Sequence, residues 1–373
     1  MIWFLTLPLA HSIIIMMINL DTIKRLIQSG LKAPSADNSQ PWHFEWDGSV
    51  LSVKYDVVRV KDRTFPANSP ATLLSLGTVI ENILYISESY NISAKFSWSP
   101  DMISEESAGA EINLQPINSV EPSTDPINHP IFKRHTNRFP YHKTALPKQV
   151  LNEATQLSEG SARLLIINSK SLIQELGQLV KVASEIRFQT KEVHEWLGQN
   201  LRFTKEDVKK ADGLDIRTLA LPPGGSMFLK FISSWHRMKV LNRIGAYRLL
   251  AKIDAAPVKV APAIVAIIAP PTPQGAIDAG RLLCRSWTYL NTEGIAVHPY
   301  YVIADQLTRL KAGTIPENLI EKAHYLKQEC TQALSLGEGE TLHMLLRTGY
   351  PKRTPPQSLR LPEDVIFTDT SNN

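Results

Sequence analysis

Apolar and polar residues alternate along this chain in patterns that predict helices and short strands in both halves. Apolar residues recur at helical spacing over Asp21–Leu31, where Asp21 is the predicted N-cap, and Pro34 stops that helix. Ala71–Tyr90 has few polar residues on one side, which predicts a long, buried helix. Alternating residues on both sides of Asp47-Gly48 predict a β-hairpin. Further predicted strands are Ala94–Trp98, Arg163–Asn168, Ala263–Ala269, His343–Leu346 and Val365–Phe367, and further predicted helices are Gln149–Ser158, Leu172–Trp196 and Gly275–Leu290.

Two stretches without a clear apolar period divide the chain. Residues 100–130 are rich in Pro, Ser, Asn and acidic residues, which predicts a connection between two lobes. Residues 198–256 have no counterpart in the first half, so we expect an insertion there that could act as a lid or substrate cover. The predicted division is an apolar N-terminal extension over 1–20, a first lobe over 21–128 and a second lobe over 129–373.

An internal repeat supports two lobes. The spacing from Gly77 to Asn91 equals the spacing from Gly280 to Gly294, and a predicted helix lies within each interval. Asn and Gly are the residues that best tolerate the left-handed conformation that ends a helix. Two buried helices with similar ends would look alike without any common origin, so the repeat gains weight only beside the segments described below.

Composition indicates an ordinary globular protein. The chain has 373 residues, of which 43% are hydrophobic and 20% charged, a length that suits two packed lobes. Its net charge of +4, without a long Lys/Arg block, gives no indication of a nucleic-acid partner. Cys284 and Cys330 form no zinc or CxxC pattern, and no histidine spacing predicts a metal site. The cysteine usage favours a reducing compartment, and Cys284 is predicted to be a core residue.

The first residues are apolar. Residues 2–20 carry no charge over a length close to that of a membrane span. They lack the basic start and the clean cleavage site of a secretory signal. An anchor, a degenerate signal and an extension from an early start codon all remain open, and we favour an extension or a packing helix. The location that follows is the cytoplasm, with membrane association through residues 2–20 as the alternative.

The first candidate binding segment is Arg134-x-Thr136-x-Arg138. It places two guanidinium groups and a hydroxyl at alternate positions. In an extended segment, residues two apart face the same way, so the three donors could converge on one anion. Arginine binds phosphate oxygens in a bidentate manner. Taken alone, the segment could also be a solvated basic loop.

The second candidate segment is Ala33–Phe44, which reads APSADNSQPWHF. Asn38 can both donate and accept hydrogen bonds, which suits the paired oxygen and N–H groups of a pyrimidine edge. Trp42 is expected to be a core residue. The alternative is that Pro34-Ser35 and Gln40-Pro41 only shape a loop between a helix and a strand.

The two segments resemble the two signatures of the FMN-dependent nitroreductase family. In that family both signatures normally lie in one short subunit, in the opposite order, and two subunits build each site between them. Here each signature occurs once and the order is reversed, so the chain is similar to the fused, two-lobed Acg-type branch. The resemblance implies an α+β fold of two lobes, each with a mixed β-sheet wrapped by helices, packed as an intramolecular pseudo-dimer. It also implies one tightly bound FMN per chain, between the lobes, in a monomer that needs no homodimer.

The resemblance also implies site residues. In the family, the Pro-Ser-x-x-Asn segment touches the flavin. The first arginine and the hydroxyl of the basic segment hold the phosphate, and its last basic residue lies towards the pyrimidine edge. A C-terminal Lys-x-Arg contact keeps only its arginine here, with Arg347 and Arg353 as alternatives, and Gly294–Tyr301 resembles the loop whose backbone N–H approaches flavin N5. The implied cofactor-binding residues are Pro34, Ser35, Asn38, Arg134, His135, Thr136, Arg138, Pro299, Tyr300, Tyr301 and Arg360, with Tyr300 or Tyr301 as the expected N–H donor.

The function that the resemblance implies is an FMN-dependent oxidoreductase. It would take hydride from NAD(P)H, a transient donor, and reduce a nitro compound, quinone or similar small molecule. No side chain of the set is an obvious acid, base or nucleophile, which fits chemistry carried by the cofactor. The alternative is a non-catalytic protein that binds or stores FMN, with residues 198–256 as a lid over the flavin. A third possibility is an accessory dehydrogenase that acts on a peptide or small metabolite.

Overall fold

The computed structural model describes residues 18–60, 64–98, 108–117 and 126–371. Most of the predicted N-terminal extension and part of the predicted connection therefore lie outside the described residues. The strands are β1 (Trp42–Trp46), β2 (Val50–Tyr55), β3 (Ile92–Ser97), β4 (Ala108–Pro116), β5 (Ser158–Glu159), β6 (Ala162–Ile167), β7 (Leu201–Arg202), β8 (Leu214–Asp215), β9 (Ala263–Ala269), β10 (Ala296–Tyr300), β11 (Thr341–Gly349) and β12 (Phe367–Asp369). The helices are α1 (Leu20–Gly30), α2 (Val57–Val60), α3 (Pro70–Ser89), α4 (Pro130–Lys133), α5 (Lys148–Thr155), α6 (Lys170–Arg187), α7 (Lys191–Asn200), α8 (Lys205–Val208), α9 (Gly225–Ile232), α10 (Trp235–Arg243), α11 (Ala246–Lys259), α12 (Pro273–Thr292), α13 (Val302–Lys311), α14 (Ile320–Ala333) and α15 (Glu363–Ile366).

The first sheet has the strand order β12-β1-β2-β4-β3. Its neighbours pair antiparallel except β1 and β12, which run parallel with Phe44 opposite Phe367, so the sheet is mixed. β1 and β2 form the predicted hairpin, and Gly48 adopts a φ of +100° in its turn, which a residue without a Cβ does without strain. Apolar residues of β1 pack with α1 and α3 in a core that includes Ile27, Phe44 and Ile80.

The second sheet has the strand order β10-β11-β9-β6-β5. β9 lies at its centre and all seven of its residues are buried, which confirms the central strand predicted from the apolar run. The named strands of this sheet all pair antiparallel. Parallel pairing comes from an isolated bridge between Thr136 and Val297 at the β10 edge. The predicted mixture of parallel and antiparallel pairing therefore involves a whole strand, β12, in the first sheet and this bridge in the second sheet.

The two long helices α3 and α12 pack against each other between the sheets. A Cβ added at Gly77 would lie 2.2 Å from the carbonyl oxygen of Ile277, and a Cβ added at Gly280 would lie 2.0 Å from that of Leu74. The offset of 203 residues that relates Gly77 to Gly280 also relates Leu74 to Ile277. The two close approaches are therefore equivalent, as in the self-complementary interface of a two-fold dimer.

The repeat extends beyond these glycines. Asn91, with a φ of +53°, and Gly294, with a φ of +71°, both adopt the left-handed conformation just after their helices. Ile277 of α12 belongs to the apolar core of the first lobe, and Leu74 of α3 belongs to a core of the second. Each lobe thus contributes an equivalent side chain to the apolar core of the other lobe, and the chain is an intramolecular pseudo-dimer.

Charged groups reinforce the packing of α3 against α12. Glu81 of α3 has a side chain that is 3% exposed, and it accepts hydrogen bonds from Arg281 Nε at 2.7 Å and from Arg285 Nε at 2.5 Å. Both arginines also pair with Glu159 of β5. The buried carboxylate is therefore fully partnered, as a buried charge must be. Nearby Cys284 is buried, which raises the pKa of its thiol to about 12 and confirms the predicted core position.

Two helix predictions are wrong in detail. Asn19, not Asp21, is the N-cap of α1, because its Oδ1 accepts the N–H of Thr22 at 2.7 Å. The single helix predicted over 172–196 is two helices, α6 and α7. They separate at Thr190, which adopts an extended conformation while its hydroxyl donates to the carbonyl oxygen of Ile186 at 3.0 Å.

The predicted connection over residues 100–130 contains a strand, β4. Its apolar residues Ala110, Ile112 and Leu114 are buried and alternate with polar ones, so the segment does carry a strand period. β4 pairs with both β2 and β3 and therefore lies inside the first sheet. The surrounding polar and Pro-rich residues hid this period in the sequence.

The end of the chain returns to the first lobe. β12 pairs with β1, although the predicted division assigns residues 129–373 to the second lobe. Just before β12, the side chain of Arg360 reaches the carbonyl oxygen of Leu31 at the end of α1. Residues 350–369, which we call the C-terminal arm, thus connect the two lobes and bring a third segment to the predicted site.

The predicted insertion forms a helical layer with its own small core. Phe188, Ile232, Met238 and Ala251 are buried together between α6 and the helices α9, α10 and α11. Ahead of these helices, β7 and β8 pair in parallel, and the N–H of Gly213 between them donates to the carbonyl oxygen of Asn38 in the first lobe.

Candidate functional site

The loop between α1 and β1 is strained. Asp37, Asn38 and Gln40 have φ values of +48°, +58° and +49°, in the left-handed region that residues with a Cβ rarely adopt. The backbone is held there by local contacts, since Ser35 Oγ accepts the N–H of Gln40 at 2.9 Å. Each such residue costs on the order of 1 kcal/mol or more, and such strain clusters at binding and catalytic sites. The strain therefore marks this loop, predicted from sequence, as a candidate site.

The basic segment lies against the edge of the second sheet. Thr136 forms the bridge with Val297, and the N–H of Asn137 donates to the carbonyl oxygen of Val297 at 2.9 Å. Asn137 is 1% exposed, and its side chain donates to the carbonyl oxygen of Arg353 at 2.9 Å. Because Asn137 is locked in place, the arginines on either side of it, at 134 and 138, are fixed relative to the sheet.

The two predicted segments meet through Arg134. This side chain, from the basic segment, donates to the carbonyl oxygen of Lys32, next to the Pro34 loop. Its guanidinium carbon lies 4.5 Å from the centre of the Trp287 ring. Arg134 is 5% exposed, yet its Nε has no hydrogen-bond partner. A buried cationic donor without a partner is costly, and it indicates that a ligand belongs beside it.

Arg360 joins the same place from the C-terminal arm. Its Nε donates to the carbonyl oxygen of Leu31 at 2.6 Å, and its Nη1 donates to Asn38 Oδ1 at 2.8 Å. The Asn38 amide in turn donates to the carbonyl oxygen of Leu359 at 3.2 Å. Of the three arginines considered for this role, Arg360 is the one that lies with Arg134. Asn38 is thus positioned by the arginine rather than free to turn.

Three cations gather at this point, and we call Lys32, Arg134 and Arg360 the anion cluster. Burial, followed by the charges of Arg360 and Arg134, lowers the pKa of Lys32. Burial lowers the pKa of Arg134 to about 10, and burial together with Arg134 lowers that of Arg360 to about 9. None of the three forms an ion pair with a carboxylate of the described residues. Like charges held together without a counterion fit a dianionic phosphate.

A second basic group lies around Arg138. Arg347 is 2% exposed, and its Nη2 donates to the carbonyl oxygen of Phe139 at 2.6 Å. His298 Nδ1 lies 3.4 Å from Arg347 Nη1, and the His298 ring centre is 4.3 Å from that of Tyr300. Burial, then the charges of Arg138 and Arg347, holds the pKa of His298 well below its usual range. We call Arg138, His298 and Arg347 the inner cluster, in which the imidazole is neutral.

Asp37 is the carboxylate that faces the inner cluster from the strained loop. Burial raises its pKa, while the charges of Arg187 and Arg138 act in the opposite direction. Burial lowers the pKa of Arg138, and Asp37 is the charge that most opposes this effect. The first loop and the basic segment are therefore coupled at this end of the site as well as at the anion cluster.

The other predicted site residues have different surroundings. Tyr300 is buried and its hydroxyl donates to the carbonyl oxygen of Asp254 at 3.2 Å. Pro299 precedes it in β10 and has no N–H to offer. Tyr301 packs edge-on against Phe65 with ring centres 6.3 Å apart. His135 Nδ1 lies 2.9 Å from the carbonyl oxygen of Lys133, and no contact links it to either cluster.

Part of the insertion covers the site, and we call residues 211–218 the covering segment. The N–H of Gly213 donates to the carbonyl oxygen of Asn38 at 3.3 Å, and Gln40 Nε2 donates to that of Ala211 at 2.9 Å. At the other end, Arg138 Nη1 lies 3.5 Å from Thr218 Oγ1. The covering segment therefore touches both predicted segments.

Ion pairs hold the covering segment down. Asp212 accepts hydrogen bonds from Arg202 Nη2 at 2.7 Å and lies 3.3 Å from Arg59 Nη1. Arg59 also donates to the carbonyl oxygen of Ser39, in the strained loop. One carboxylate thus connects the insertion to the first lobe.

A cavity of about 330 Å³ adjoins the covering segment. It is lined by Phe139, Ile216, Arg217, Leu221 and Arg353, among others, and not by the anion cluster. Phe139, which lines the cavity, accepts the hydrogen bond from Arg347 of the inner cluster and connects the two. In the described part of the chain, no group of three or more His, Cys, Asp and Glu side chains is arranged to hold a metal ion.

Sequence reasoning missed several residues of the site. Lys32 lies two residues after the end of α1 and directly before the Ala33-Pro34 signature, and its position there was the available signal. Trp287 and Asp212 lie 153 and 74 residues beyond Arg134 and Arg138 in the chain, respectively, and no local pattern connects them to the site. Gln40, predicted to shape a loop, also holds the C-terminal arm, because its Oε1 accepts the N–H of Leu361 at 2.9 Å.

Comparison with known proteins gives few relatives in sequence. No family model matches the chain. MT1398, an uncharacterized protein of Mycobacterium tuberculosis, is 23% identical over 231 residues, which are 61% of this chain and 30% of that protein. The match thus spans less than a third of the length of this curated relative.

Similar solved structures include a nitroreductase with bound FMN from Bacteroides fragilis, 12% identical with a TM-score of 0.34, over 64% of this chain and 95% of that one. The FMN-dependent nitroreductase NfnB from Mycobacterium smegmatis, in complex with NADPH, is 12% identical with a TM-score of 0.36, over 64% and 94%. The chain resembles the FMN-dependent nitroreductases in its two signature segments, which meet in the structure, and in its two-lobed α+β pseudo-dimer.

Proposed function

We propose that this chain is an FMN-dependent oxidoreductase that binds one FMN between its lobes. When bound, FMN would supply hydride transfer at N5, from NAD(P)H to a nitro compound, a quinone or a similar small acceptor. The anion cluster is the observation that carries the proposal. Three cations from three distant parts of the chain gather there, and in the described residues no carboxylate pairs with them and the buried Arg134 Nε has no partner.

The anion cluster would hold the phosphate. A phosphate monoester carries nearly two negative charges at neutral pH, and guanidinium groups bind it through paired, charge-assisted hydrogen bonds. Arg134 has an unused Nε, and Lys32 has three donors on a flexible stem. The contact between Arg360 and Asn38 would orient the Asn38 amide towards the same ligand.

The inner cluster would serve the flavin end of the site. Arg138 and Arg347 place two positive charges around a neutral His298, within a partly buried setting where charges act more strongly than in water. Fixed positive charge there would favour negative charge on a ligand without any change in the protein. The adjoining cavity beside Phe139 would give a small acceptor a route to this end.

The covering segment favours a second candidate function, FMN binding or storage without turnover. Its contacts with Asn38, Gln40 and Arg138 close the site in the described structure. If these contacts persist with FMN bound, a nicotinamide ring would have no room to stack. The difference between the two functions therefore depends on whether the covering segment opens.

Reduction of the purified protein separates the two functions. The full chain is loaded with FMN and its visible spectrum is recorded, and then NADH or NADPH is added without oxygen. We expect loss of the flavin absorbance within the time of a steady-state assay. A yellow protein that keeps its flavin and its colour supports storage, and a chain that retains no FMN contradicts both functions.

Arg138→Ala tests the assignment of the inner cluster. We expect FMN affinity to fall by about 2 kcal/mol, the size of a lost hydrogen bond to a charged group. Lys143→Ala is the matched control, because Lys143 is an exposed cation five residues further along. Equal affinities for the two variants, measured by flavin fluorescence quenching, would place the flavin elsewhere.

A further inference from the structure

The insertion presents an exposed apolar surface. Half of the large hydrophobic side chains that are exposed in the described residues lie between residues 227 and 260. Ile244 is 83% exposed and Met227 is 80% exposed, and exposed apolar side chains that are grouped rather than scattered mark interaction sites. We call the following eight residues the apolar patch: Met227, Phe228, Phe231, Val240, Ile244, Leu249, Ile253 and Val260.

The same helices carry mainly positive charge, and Asp254 of α11 is their one acidic residue. Residues 216–253 contain seven Lys and Arg residues and no Asp or Glu. The whole chain has 40 basic and 36 acidic residues, so without these seven cations its balance would be three negative charges. Arg217 pairs with Asp215. The remaining six form no ion pair with a carboxylate of the described residues, and we call them the basic set: Lys230, Arg237, Lys239, Arg243, Arg248 and Lys252.

Apolar and basic side chains occupy the same outer side of the helices. In α11, the exposed residues lie one turn apart in two pairs, Arg248 with Lys252 and Leu249 with Ile253. Ala251, on the opposite side of the helix, is buried. Between α9 and α10, the Arg237 guanidinium lies 4.9 Å from the centre of the exposed Phe231 ring. The apolar patch is therefore interleaved with the basic set rather than separated from it.

We propose that the outer surface of α9, α10 and α11 binds the surface of a membrane that contains anionic lipids. The apolar patch would enter the boundary between headgroups and acyl chains, and the basic set would contact the lipid phosphates. The positive charge of this surface favours an anionic membrane over a second copy of the chain. A second copy of this chain would bring the same cations face to face across a two-fold interface, and a nucleic acid would leave the eight apolar side chains unmatched.

This mode of binding needs no membrane-spanning element. In the part of the chain that the structure describes, no helix is both long enough and apolar enough to cross a bilayer. An interfacial surface needs only exposed apolar side chains beside cations, which α9–α11 supply. The proposal does not rest on the flavin site, which uses other residues.

Vesicle flotation with the full chain tests the proposal. One set of vesicles is pure phosphatidylcholine and the other contains phosphatidylglycerol as well, each at low and at high salt. We expect binding to the anionic vesicles to be at least about tenfold stronger, and to weaken as salt screens the headgroups. Equal binding to both sets, or none to either, overturns the proposal.

Two variants assign the binding to this surface. The charge variant is Lys239→Glu, Arg243→Glu and Lys252→Glu, and the apolar variant is Met227→Ser, Phe228→Ser and Ile244→Ser. All six positions are exposed, so we expect both variants to fold, with unchanged circular dichroism. The control is Lys143→Glu, Lys148→Glu and Lys327→Glu, which makes the same charge change at exposed positions away from the insertion.

The expected result is loss of vesicle binding in the charge and apolar variants and its retention in the control. Binding that survives in both variants would assign it to another part of the chain, such as the apolar residues 2–20, and overturn the proposal. Sedimentation velocity tests the remaining possible occupant, a second copy of this chain. A wild-type dimer that the apolar variant disperses, with no vesicle binding, would show that a second copy covers this surface.

Discussion

At the scale of single residues, Arg360 carries a charge that no carboxylate of the described residues balances. It lies beside Arg134 and Lys32, and its Nη1 reaches Asn38. Holding these cations together opposes folding slightly, because like charges repel and burial removes their water. Such an arrangement is understandable when an anion supplies the missing charge.

Arg360→Gln should therefore weaken FMN binding without weakening the apoprotein. We expect the affinity to fall by about 1.5–3 kcal/mol, the value of a hydrogen bond to a charged group, while the free energy of unfolding without FMN stays equal or rises. Fluorescence titration and urea denaturation measure the two quantities. Arg353→Gln is the control, because Arg353 stacks on Phe139, 3.9 Å from its ring centre, outside the anion cluster. A similar loss of affinity in both variants would contradict the assignment.

His298 should make the stability of the protein sensitive to mild acid. Its pKa is lowered in the folded chain, so the unfolded chain binds the proton more readily. The stability from the neutral ring is present above the unfolded-state pKa of about 6.5 and is lost as the pH falls from there towards the folded-state pKa. His298→Gln, which cannot titrate, should reduce the slope of unfolding free energy against pH by up to about 1.4 kcal/mol per pH unit.

Urea denaturation between pH 7.5 and pH 5 measures that slope in the wild type and the variant. His129, His194 and His343 also have lowered pKa values, so only the difference between the two proteins reports on His298. Parallel curves for the two proteins would show that the imidazole is free to take up a proton.

At the scale of elements, the packing of α3 on α12 depends on Gly77 and Gly280. Alanine is normally better than glycine inside a helix by about 1 kcal/mol. Here an added Cβ would lie within 2.2 Å of a backbone oxygen on the other helix, so the helices would have to move apart. Gly77→Ala and Gly280→Ala should each lower the unfolding free energy by about 2–3 kcal/mol.

Gly337→Ala is the control for these substitutions. Its added Cβ would meet only the end of the Glu340 side chain, at 3.3 Å. If Gly77→Ala and Gly280→Ala have the same unfolding free energy as this control in urea denaturation, the two helices do not approach each other as closely as described.

Asp212→Asn tests the covering segment. The substitution removes the charge that pairs with Arg202 and Arg59, so the segment should open more often. We expect FMN to dissociate several-fold faster in stopped-flow exchange and, if the covering segment limits access, anaerobic bleaching by NAD(P)H to accelerate as well. Asp207→Asn, in the same insertion but paired with Lys210, is the control. Unchanged dissociation in Asp212→Asn would show that the covering segment does not limit access.

Local pattern predicted the elements that carry their own period. The hairpin around Gly48, the buried run Ala263–Ala269 and the two glycine-marked helices were all visible in the sequence, because backbone conformation and burial there follow from neighbouring residues. β4 was missed because its short alternation lies within a Pro- and Ser-rich stretch. The pairing of β12 with β1 could not be predicted either, since it joins residues more than 300 positions apart.

The candidate site also combines residues that local sequence pattern predicts with residues that it does not predict. The chemistry of Arg134 and Arg138 and the unusual loop around Asn38 were recognisable from residue type and order. Their partners Lys32, Trp287 and Asp212 depend on how the lobes pack, which no local pattern reports. The sequence therefore predicted the two segments of the candidate site, and the structure shows which residues bring these segments together.

At the scale of the whole molecule, Gly77 and Gly280 make equivalent contacts in the two lobes, but among the described residues the two signature segments meet once. The strained loop comes from the first lobe and the basic segment from the second, and the C-terminal arm closes the site. Both halves of the site are already in one chain. We therefore expect a monomer to bind the flavin.

The most direct test is the number of FMN molecules per chain and the mass of the species that binds them. Titration of the apoprotein, followed by fluorescence quenching, is combined with sedimentation velocity on the loaded protein. We expect one FMN per chain, bound by a monomer. Two FMN per chain, or binding that requires a dimer, would contradict a single site built between the lobes of one polypeptide.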